Sequence, residues 1–427
     1  MKGKDAPMAE RALSWPRDDC SRVPYPVFSD GEIFDLEQER IFRGPVWCYA
    51  ALEAEIPAPG DYKTTFIGDT PVVVIRGDDG APAAFVNRCA HRGTLLVRDL
   101  AGHADDFTCV YHHWCYDRQG RLIGVPFLRG LHGKGGMPKD FRMADHGLHR
   151  LLADSYAGVI FVSFDDSVEP LRDFMDAPMR EFLDRVLDRP IEILGYTRQR
   201  IPGNWKLYFE NLHDVYHAGL LHQQSTVFGQ FRSSQSGGIT FDMRRRHKIT
   251  HAFHDSDESE DSKEAYGHTD WIEGTHRLND PSIFEFRDEL GDNKAAHFLT
   301  FFPSSVIQQL CNSLATRQIR PRGPDEFELN WTYFGYADDP PELRHLRMKQ
   351  ANNVGPAGIT SMEDGEAGRL VQLGIRGAEN EHSVIEMGGR GAVEDQDTVI
   401  TEVAVRGFWL HYCELMGVAP GEARAWA

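Results

Sequence analysis

Short runs rich in apolar and β-branched residues dominate the chain between residues 61 and 165. Such runs, separated by turn-forming residues, are typical of strands. Asp78-Asp79-Gly80 lies between two of them and indicates a hairpin. The pattern predicts a small all-β domain with strands at Tyr62–Ile67, Pro71–Arg76, Ala83–Asn87 and Phe107–Tyr111, and a closing apolar run at Gly158–Phe164.

The chain after Tyr196 has longer segments of both helical and strand character. They do not follow the βαβ order that gives a parallel sheet, so we expect an α+β domain with an antiparallel sheet. The predicted boundaries are 1–45 for an N-terminal lead-in with a helix, 46–165 for the β domain and 166–427 for the α+β domain. Predicted elements of the larger domain are strands at Asn293–Pro303, Val306–Arg320 and Phe327–Tyr336, and helices at Leu343–Asn353 and Val399–Met416, the last ending at Gly417.

Composition narrows the class of protein. A chain of 427 residues is too long for one simple core, and a formal net charge of −19 disfavours nucleic acid or an anionic membrane as a partner. No apolar run approaches the ~20 residues of a membrane-spanning helix. The N-terminal stretch lacks the apolar segment of a signal peptide, and seven cysteines, an odd number, do not suggest a disulfide framework. We therefore expect a cytoplasmic protein with reduced or metal-bound thiols.

Histidines, acids and an asparagine are concentrated in Gly203–His222, among aromatic and aliphatic residues. On a helix, Asp214 and His217 share one face. His217 and His222 are five residues apart, so they can meet at one metal only if the helix ends or distorts between them. Gly219 offers that break. The stretch therefore indicates a metal site, provided that the helix is interrupted.

A rival pair of ligands exists in the same stretch. His213 and His217 are four residues apart, the spacing with which helical histidines bind zinc in metalloproteases. The glutamate that zinc chemistry would need after His213 is Asp214 here. From these residues alone, either histidine pair or a helix of buried, satisfied histidines remains open.

A second group of metal-ligand residues lies in the predicted β domain. Cys89 and His91 form one pair, and Cys109 and His112 form another after 17 intervening residues. Two cysteines and two histidines suit tetrahedral zinc, but zinc modules usually open with two cysteines two to four residues apart. Here each half contributes one cysteine and one histidine, which suits a [2Fe–2S] cluster with two thiolates on one iron and two imidazoles on the other. We favour the iron–sulfur interpretation.

Two motifs carry a family resemblance. C-x-H-R-G, followed by C-x-x-H-x-W, resembles the Rieske motif in the large (α) subunit of ring-hydroxylating oxygenases. N-W-K-L-x-x-E-N-x-x-D-x-Y-H-x-x-x-x-H, from Asn204 to His222, is similar to the mononuclear-iron motif of the same family. The motifs stand in the family's order, and the resemblance covers nearly the whole chain. It implies a Rieske domain followed by a catalytic domain with mononuclear Fe(II), in which His217 and His222 are iron ligands and His213 is not.

Iron of this kind takes a third ligand, a carboxylate, so that one face is occupied and the opposite positions stay open for dioxygen and substrate. A GPAG segment is followed by three acids, Glu363, Asp364 and Glu366, which without the resemblance are ordinary solvent-facing residues. The family places its aspartate shortly after GPAG, and Asp364 is the residue that matches. The glutamate that commonly follows five residues later is Arg369 here, which departs from the family pattern.

Electrons are expected to come from another protein. No G-x-G-x-x-G fingerprint follows a predicted strand, so a ferredoxin or a reductase would supply them. Asp214 could hydrogen-bond His217 and hold it, as carboxylates beside metal ligands do. In the family the equivalent aspartate also bridges to a Rieske histidine of the neighbouring subunit. The resemblance therefore implies a ring of three α subunits, usually with three small β subunits, α3β3.

Stretches such as SRVPY, RQRIPGNWKL and GPAGITSMEDGEA are most similar to oxygenases of aromatic acids, namely anthranilate, salicylate and terephthalate. A carboxylate in an apolar pocket needs a cation, because desolvation of an unpaired charge is very costly. In the predicted strand Val306–Arg320, Arg317 shares the less polar face with Ile307. Arg317 is the candidate cation, with a pairing to a buried acid as its alternative role, and Arg406 is a weaker candidate. A second cation for a para-dicarboxylate is not evident, which favours a monocarboxylate.

The sequence thus predicts a terminal oxygenase α subunit that hydroxylates an aromatic carboxylic acid of the anthranilate or salicylate type with O2. A terephthalate-type cis-dihydroxylating dioxygenase is the alternative within the family. A Rieske electron carrier would leave the whole α+β domain unexplained. A zinc-stapled scaffold would lack the spectrum of a reduced Rieske centre.

Overall fold

The computed structural model describes residues 15–254, 266 and 278–421. The chain forms two compact units, a smaller one of Phe42–Phe174 and a larger one of Met1–Ile41 with Met175–Ala427. The N-terminal segment, predicted as a separate lead-in over 1–45, groups with the larger unit as far as Ile41, and its residues 1–14 lie outside the described part. None of the helices among the described residues has both the length and the apolar character that a membrane span requires.

Two elements of the N-terminal segment are ordered against the larger unit. Strand β1, Arg22–Pro24, pairs antiparallel with β19, His382–Val384. Helix α1, Gly31–Glu37, begins after Asp30, whose carboxylate accepts hydrogen bonds from the first free N–H groups of the helix. A single π turn, Gln38–Phe42, follows α1 directly.

The smaller unit contains a seven-stranded antiparallel sheet in the order β2-β11-β10-β5-β4-β3-β6 and a three-stranded sheet β7-β8-β9. The strands predicted from the short apolar runs are among them, and the predicted all-β character is confirmed. The bounds are β2 Cys48–Leu52, β3 Asp61–Ile67, β4 Thr70–Arg76, β5 Pro82–Val86, β6 Ala101–His103, β7 Asp106–Thr108, β8 Cys115–Asp117, β9 Leu122–Gly124, β10 Arg150–Tyr156 and β11 Val159–Ser163, followed by helix α2 Leu171–Phe174.

The predicted hairpin joins β4 and β5. Gly77 N–H donates to Ala81 O over 2.8 Å, and Gly80 has a φ of +82°, which only glycine adopts at little cost. The fourth predicted strand, Phe107–Tyr111, is shorter than expected. It ends at Thr108 because the next residue, Cys109, begins a loop.

The larger unit is built on a seven-stranded sheet in the order β12-β18-β17-β16-β15-β14-β13, with every neighbouring pair antiparallel. The predicted α+β class with an antiparallel sheet is therefore confirmed. The strands are β12 Ile191–Ile201, β13 Gly237–Phe241, β14 Lys248–Phe253, β15 Lys294–Phe301, β16 Ser305–Leu310, β17 Ser313–Gly323 and β18 Glu326–Tyr336. The helices are α3 Ala177–Val186, α4 Trp205–His213, α5 Ala218–Leu221, α6 Gln223–Val227, α7 Pro341–Val354, α8 Ile359–Gly374 and α9 Val403–Met416.

The expected single strand over Val306–Arg320 is wrong, because a hairpin divides it into β16 and β17. Leu310 pairs with Ser313, and Cys311, the first residue of the two-residue turn, has a φ of +50°. A two-residue hairpin turn is usually marked in the sequence by Asn-Gly or Asp-Gly, and neither pair is present here. The hairpin also changes which residues share a face of the sheet with Arg317.

Arg317 shares its face with a different set of residues from the one expected. It pairs directly with Val306. Its neighbours on the same face are therefore Val306 and Gln308, and Ile307 points to the other face of the sheet. The face that carries Arg317 nevertheless has few charged residues, as predicted.

Helix α4 is fixed by a buried acid from α1. The side chains of Glu37 and Lys206 are both 0% exposed, and Lys206 Nζ donates to Glu37 Oε1 over 2.6 Å. Trp205 Nε1 donates to the other carboxylate oxygen over 2.8 Å, and Tyr412 Oη from α9 donates to Oε1. Three helices therefore meet at one carboxylate at the start of the helix that leads to the candidate site.

Candidate active site

Three metal-ligand side chains of the larger unit meet at one point. His217 ends a short 3₁₀ turn, His222 follows α5, and Asp364 lies in the second turn of α8. Their ligand atoms all lie within 4.8 Å of one another. Asp364 Oδ1 is 3.4 Å from His217 Nε2 and 3.2 Å from His222 Nε2. We refer to these three residues as the His/His/Asp group.

The chemistry of the donor set fits mononuclear iron. Two imidazole nitrogens and one carboxylate oxygen are the ligands with which non-haem iron keeps open positions. Ligands about 2.0–2.2 Å from one ion lie roughly 3 Å apart when they are at right angles, close to the separations seen here. Burial raises the pKa of Asp364, but hydrogen bonds to His217 and His222 outweigh it and hold the pKa far below its usual range. The carboxylate therefore stays ionised, as metal binding requires.

Two further side chains hold the His/His/Asp group in place. Asn211 Nδ2 donates to Asp364 Oδ1 over 3.0 Å and lies 3.2 Å from His217 Nε2. Glu363 Oε2 is 2.8 Å from His222 Nδ1, so the ring's other nitrogen remains for a metal. Sequence reasoning missed both roles. The sequence offers Glu363 only as a candidate ligand or a solvent-facing acid, and Asn211 only as part of the E-N-x-x-D motif.

Asp214 supports His217 by a different route from the one expected. Helix α4 ends at His213, so Asp214 is not on a continuous helix with His217 but begins the 3₁₀ turn. Its Oδ1 accepts a hydrogen bond from the His217 backbone N–H over 3.3 Å. The other carboxylate oxygen is 3.9 Å from Nδ1, too far for a hydrogen bond, and the Asp214 backbone carbonyl pairs with Nδ1 instead. The imidazole is therefore oriented by the Asp214 backbone and not by its carboxylate.

His213, the rival ligand, belongs to the hydrophobic core. Its Nδ1 is 2.7 Å from Phe209 O, and its ring stacks on Phe408 with centroids 5.6 Å apart. Burial holds the pKa of His213 well below its usual value, so the ring is neutral. His213 is not part of the metal-ligand group found among the described residues.

The interruption that lets the two histidines converge lies at His222, where α5 ends, and not at Gly219 as expected. Gly219 lies inside α5 and is needed for another reason. A Cβ at this position would collide with Ser233 Oγ and Tyr266 Oη. The glycine therefore allows close packing of α5 rather than a bend.

The four predicted cluster ligands lie in two loops of the smaller unit. Cys89 follows β5 and Cys109 follows β7, and each loop is closed by a backbone hydrogen bond from the cysteine N–H. Both cysteines are buried, at 2% and 1% exposure. The loops bring the rings of His91 and His112 together, with centroids 4.5 Å apart.

An unpaired ring nitrogen supports the fit of a [2Fe–2S] cluster. Among the described residues, His91 Nδ1 is buried and has no hydrogen-bond partner, as expected of a nitrogen that binds a metal. The ring is held by stacking on Trp114, with centroids 4.7 Å apart. Tyr116 Oη accepts from Ala90 N–H and lies 3.3 Å from Cys89 Sγ, so its hydrogen can be donated to the sulfur. The residues present therefore fit two thiolates and two imidazoles.

A cavity of about 120 Å³ lies against the His/His/Asp group, and His217, His222 and Asp364 form part of its wall. Arg317 on β17 also lines it, whereas Arg406, the weaker candidate, does not. Most of the remaining wall is apolar or small, and its larger apolar side chains are Leu212, Val215, Phe231, Phe298, Leu310 and Val354.

Arg317 is a buried cation at one side of this cavity, only 7% exposed. Nη1 donates to Tyr208 Oη over 3.0 Å, Nε donates to Gln308 Oε1, and the guanidinium carbon lies 4.5 Å from the centre of the Trp331 ring. Within the described part of the chain, no carboxylate forms an ion pair with it. The alternative role of Arg317, a pairing with a buried acid, is therefore not observed.

Comparison with known proteins places both units in one family. The Rieske [2Fe-2S] domain model matches residues 46–133. The model described as the ring hydroxylating alpha subunit (catalytic domain) matches residues 180–417, more than half of the chain. The two matches include all of the candidate ligands.

Curated relatives extend over nearly the whole chain. The anthranilate 1,2-dioxygenase large subunit of Burkholderia cepacia is 51% identical over 95% of this chain and 96% of its own length. The terephthalate 1,2-dioxygenase terminal oxygenase component subunit alpha 2 of Comamonas sp is 45% identical over 96% of this chain and 99% of its own. The large oxygenase component of Ralstonia sp salicylate 5-hydroxylase is 40% identical over 96% of this chain and 98% of its own.

A solved structure agrees with the fold. Naphthalene 1,2-dioxygenase from Rhodococcus sp., bound to indole, superimposes with a TM-score of 0.76 at 26% identity, over 92% of this chain and 94% of that one. A bare electron carrier or a zinc-stapled scaffold would not share the catalytic domain. The chain therefore belongs to the large (α) subunits of Rieske non-haem iron ring-hydroxylating oxygenases, enzymes with a Rieske [2Fe–2S] domain and a catalytic domain of the mononuclear-iron type.

Proposed function

We propose that this chain is the α subunit of a terminal oxygenase that hydroxylates an aromatic monocarboxylic acid, of the anthranilate or salicylate type, with O2. The observation that carries the proposal is Arg317, a buried cation in the wall of an apolar cavity that also contains the His/His/Asp group. Relatives whose names include anthranilate, salicylate and terephthalate support an aromatic acid as substrate.

The donors that Arg317 leaves free suit a carboxylate. A guanidinium has five N–H donors. Gln308 takes the one on Nε and Tyr208 takes one on Nη1, so three have no partner among the described residues. A planar carboxylate can accept two of them at once. The same pairing would neutralise a substrate charge that is otherwise too costly to bury in an apolar cavity.

The cavity favours one carboxylate over two. Arg317 is the only lysine or arginine in its described lining. Lys248 lies nearby, but its Nζ donates to Thr250 Oγ1 and does not line the cavity. The far carboxylate of a para-dicarboxylate would therefore meet uncharged side chains. This disfavours the terephthalate-type alternative, although a relative of that name is 45% identical.

We assign the ligands of the two prosthetic groups as follows: Cys89, His91, Cys109 and His112 for the [2Fe–2S] cluster, and His217, His222 and Asp364 for mononuclear Fe(II). When bound, the cluster supplies single electrons and the iron supplies open positions at which dioxygen is activated. The chain's own side chains do the remaining work. Arg317 orients the acid, the apolar wall excludes water, and Asn211 and Glu363 keep the ligands in place.

Electron supply and assembly require further chains. We propose a ferredoxin or an NAD(P)H-dependent reductase as the donor, because the sequence has no dinucleotide fingerprint. We also propose a small β subunit in an α3β3 assembly in the cytoplasm. Asp214 is the candidate for the connection to the Rieske domain of the neighbouring α subunit, since its carboxylate is not used to hold the His217 ring.

Arg317→Met tests the proposal. Methionine keeps much of the apolar length but removes all donors. The KM for the acid should therefore rise by about two to four orders of magnitude, because breaking a buried charge pair costs about 3–5 kcal/mol. The measurement is product formation from a panel of substituted benzoates, by iron-replete protein with a compatible reductase. Products are identified by chromatography and mass spectrometry.

Arg406→Met is the matched control. Arg406 is also buried, at 1% exposure, but lies outside the cavity, so its loss should leave the KM unchanged. An unchanged KM in Arg317→Met would remove the basis of the proposal. Faster turnover of neutral aromatics than of every acid in the panel would assign a different substrate class.

A further inference from the structure

Helix α4 contacts both the candidate substrate cation and the candidate iron ligands. Tyr208 and Asn211 are three residues apart in α4 and therefore lie on one face of the helix. Tyr208 Oη accepts the hydrogen bond from Arg317 Nη1 over 3.0 Å. Asn211 Nδ2 donates to Asp364 Oδ1, also over 3.0 Å. One rigid turn thus connects the cation to the His/His/Asp group.

The other contacts of the Arg317 guanidinium come from its own sheet. Gln308 is on β16 and Trp331 on β18, the two strands that flank β17. Both would move with the sheet if the sheet shifted relative to α4. The Tyr208 hydroxyl is therefore the contact that fixes the guanidinium relative to the helix carrying Asn211.

Tyr208 is suited to act through Arg317 and not on the substrate directly. It is 2% exposed and is not part of the cavity wall. Burial raises the pKa of Tyr208 to about 12, so the hydroxyl is neutral and can accept from the guanidinium at physiological pH. Its own hydrogen finds no acceptor among the described residues, so no other contact holds the hydroxyl away from Arg317.

We infer that Tyr208 is a positioning residue that sets the distance between the substrate carboxylate and the mononuclear metal, and so determines which ring carbon is hydroxylated. The inference rests on the proposed acid site at Arg317. A displacement of about 1 Å at a reacting atom can cost ~100-fold in rate, and adjacent ring carbons are separated by little more than that. If the guanidinium is loosened, the bound acid would therefore present more than one ring carbon to the metal site.

The test compares Tyr208→Phe with Tyr333→Phe. Both changes remove one buried hydroxyl, but Tyr333 Oη lies 3.4 Å from Thr197 Oγ1 and makes no hydrogen bond to Arg317 among the described residues. The acid that the wild-type holoenzyme turns over best is first identified among benzoate, anthranilate, salicylate and 4-hydroxybenzoate. KM, kcat, the product isomers and the product formed per O2 consumed are then measured for that acid. Binding of its neutral carboxamide analogue is measured in parallel.

In Tyr208→Phe we expect the KM for the acid to rise about tenfold, the effect of losing one hydrogen bond to a charged group. We also expect a second product isomer or less product per O2, with binding of the carboxamide within about twofold of wild type. Tyr333→Phe should match wild type in all of these. A Tyr208→Phe enzyme with unchanged KM and isomer pattern, or one that loses acid and carboxamide equally, would overturn the inference.

The two proposals fail in distinguishable ways. If Arg317→Met raises the KM but Tyr208→Phe has no effect, the acid site stands and the role of Tyr208 is wrong. If Arg317→Met has no effect, or if the wild type uses none of the acids, the acid site fails and the inference fails with it.

Discussion

Lys248 is a buried charge close to the candidate iron site. It is 1% exposed, and its Nζ donates to Thr250 Oγ1 over 2.7 Å. Burial lowers the pKa of Lys248 to about 7, and the charge of Asp214 opposes this effect only in part. An unfolded lysine titrates near pH 10.5, so between pH 7 and 10.5 the folded chain binds fewer protons than the unfolded chain. Lys248 therefore destabilises the folded chain most at pH 7 and below, and this destabilisation decreases as the pH rises through the window.

Lys248→Met should remove this pH dependence. Relative to the variant, the wild-type free energy of unfolding should rise by up to roughly 1.4 kcal/mol per pH unit between pH 7 and 9.5, the effect of one proton. The measurement is the urea midpoint of both proteins at several pH values, with unfolding followed by fluorescence. Parallel curves would show that Lys248 keeps its proton in the folded protein.

At single residues, the sequence predicted the candidate ligands that the motifs mark and missed the side chains that contact them. His217, His222 and Asp364 were named in advance, and the structure brings them together. The contact of Glu363 with His222 spans 141 positions, and that of Tyr208 with Arg317 spans 109. No local pattern encodes such a contact, because one depends on how α8 packs against the end of α5 and the other on how the sheet packs against α4. A side chain's partner is a property of the packing and not of its neighbours in the chain.

At the scale of elements, the position of α4 depends on the buried pair of Glu37 and Lys206. Burial lowers the pKa of Lys206, while the charge of Glu37 acts in the opposite direction. Glu37 also binds the Trp205 indole and the Tyr412 hydroxyl, so its carboxylate has partners from both α4 and α9. A fully buried pair is weak evidence for net stability, but removal of one partner leaves an uncompensated charge.

Lys206→Met should therefore lower the free energy of unfolding by about 3–5 kcal/mol, and Glu37→Gln combined with it should recover part of the loss, because no lone charge remains buried. Chemical denaturation of the two variants and wild type gives these values. Arg369→Ala is the control, since the Arg369–Glu366 pair is exposed on the surface of α8 and its loss should not be measurable. Equal losses in the single and double variants would show that packing, not charge, is lost.

The ends of helices and strands were predictable where turn or cap residues interrupt the sequence pattern, and not where a strand-like pattern continues through a turn. The strands of the smaller unit and the end of α9 at Gly417, with a φ of +68°, follow from turn and cap residues. The hairpin at Cys311 was missed because strand-like sequence continues on both sides of a turn that contains no glycine. The face of each residue is found by counting along one strand. Because the turn was missed, Ile307 and not Val306 was placed on the face of Arg317.

At the scale of the whole molecule, the candidate ligands of the two prosthetic groups lie in different units. The Rieske and catalytic domain models match separate parts of the chain, 46–133 and 180–417. Metal loading and turnover can therefore be measured independently. A variant that keeps all of its iron but loses turnover is defective in a step other than metal binding.

Asp214→Asn should be such a variant. The His217 ring is held by the Asp214 backbone carbonyl, which asparagine retains, and the side-chain oxygen of asparagine can still accept from the His217 N–H. Iron content and the Rieske spectrum should therefore equal those of wild type, whereas His217→Ala should lose the mononuclear iron and keep the spectrum.

Asparagine lacks the negative charge of the Asp214 carboxylate, which lies 3.9 Å from the His217 ring. The Asp214 side chain is about a quarter exposed, so it remains available to a neighbouring subunit. If that carboxylate connects the two prosthetic groups of adjacent subunits, reduction of the Rieske centre should stay fast while product formation falls by orders of magnitude. The measurement is a single turnover of iron-replete, pre-reduced protein with substrate and O2, in which the cluster absorbance and the product are followed together. Product at the wild-type rate would make Asp214 an ordinary cap of the 3₁₀ turn. Loss of iron from Asp214→Asn would instead show that the carboxylate supports the ligand, and that the backbone contact alone is insufficient.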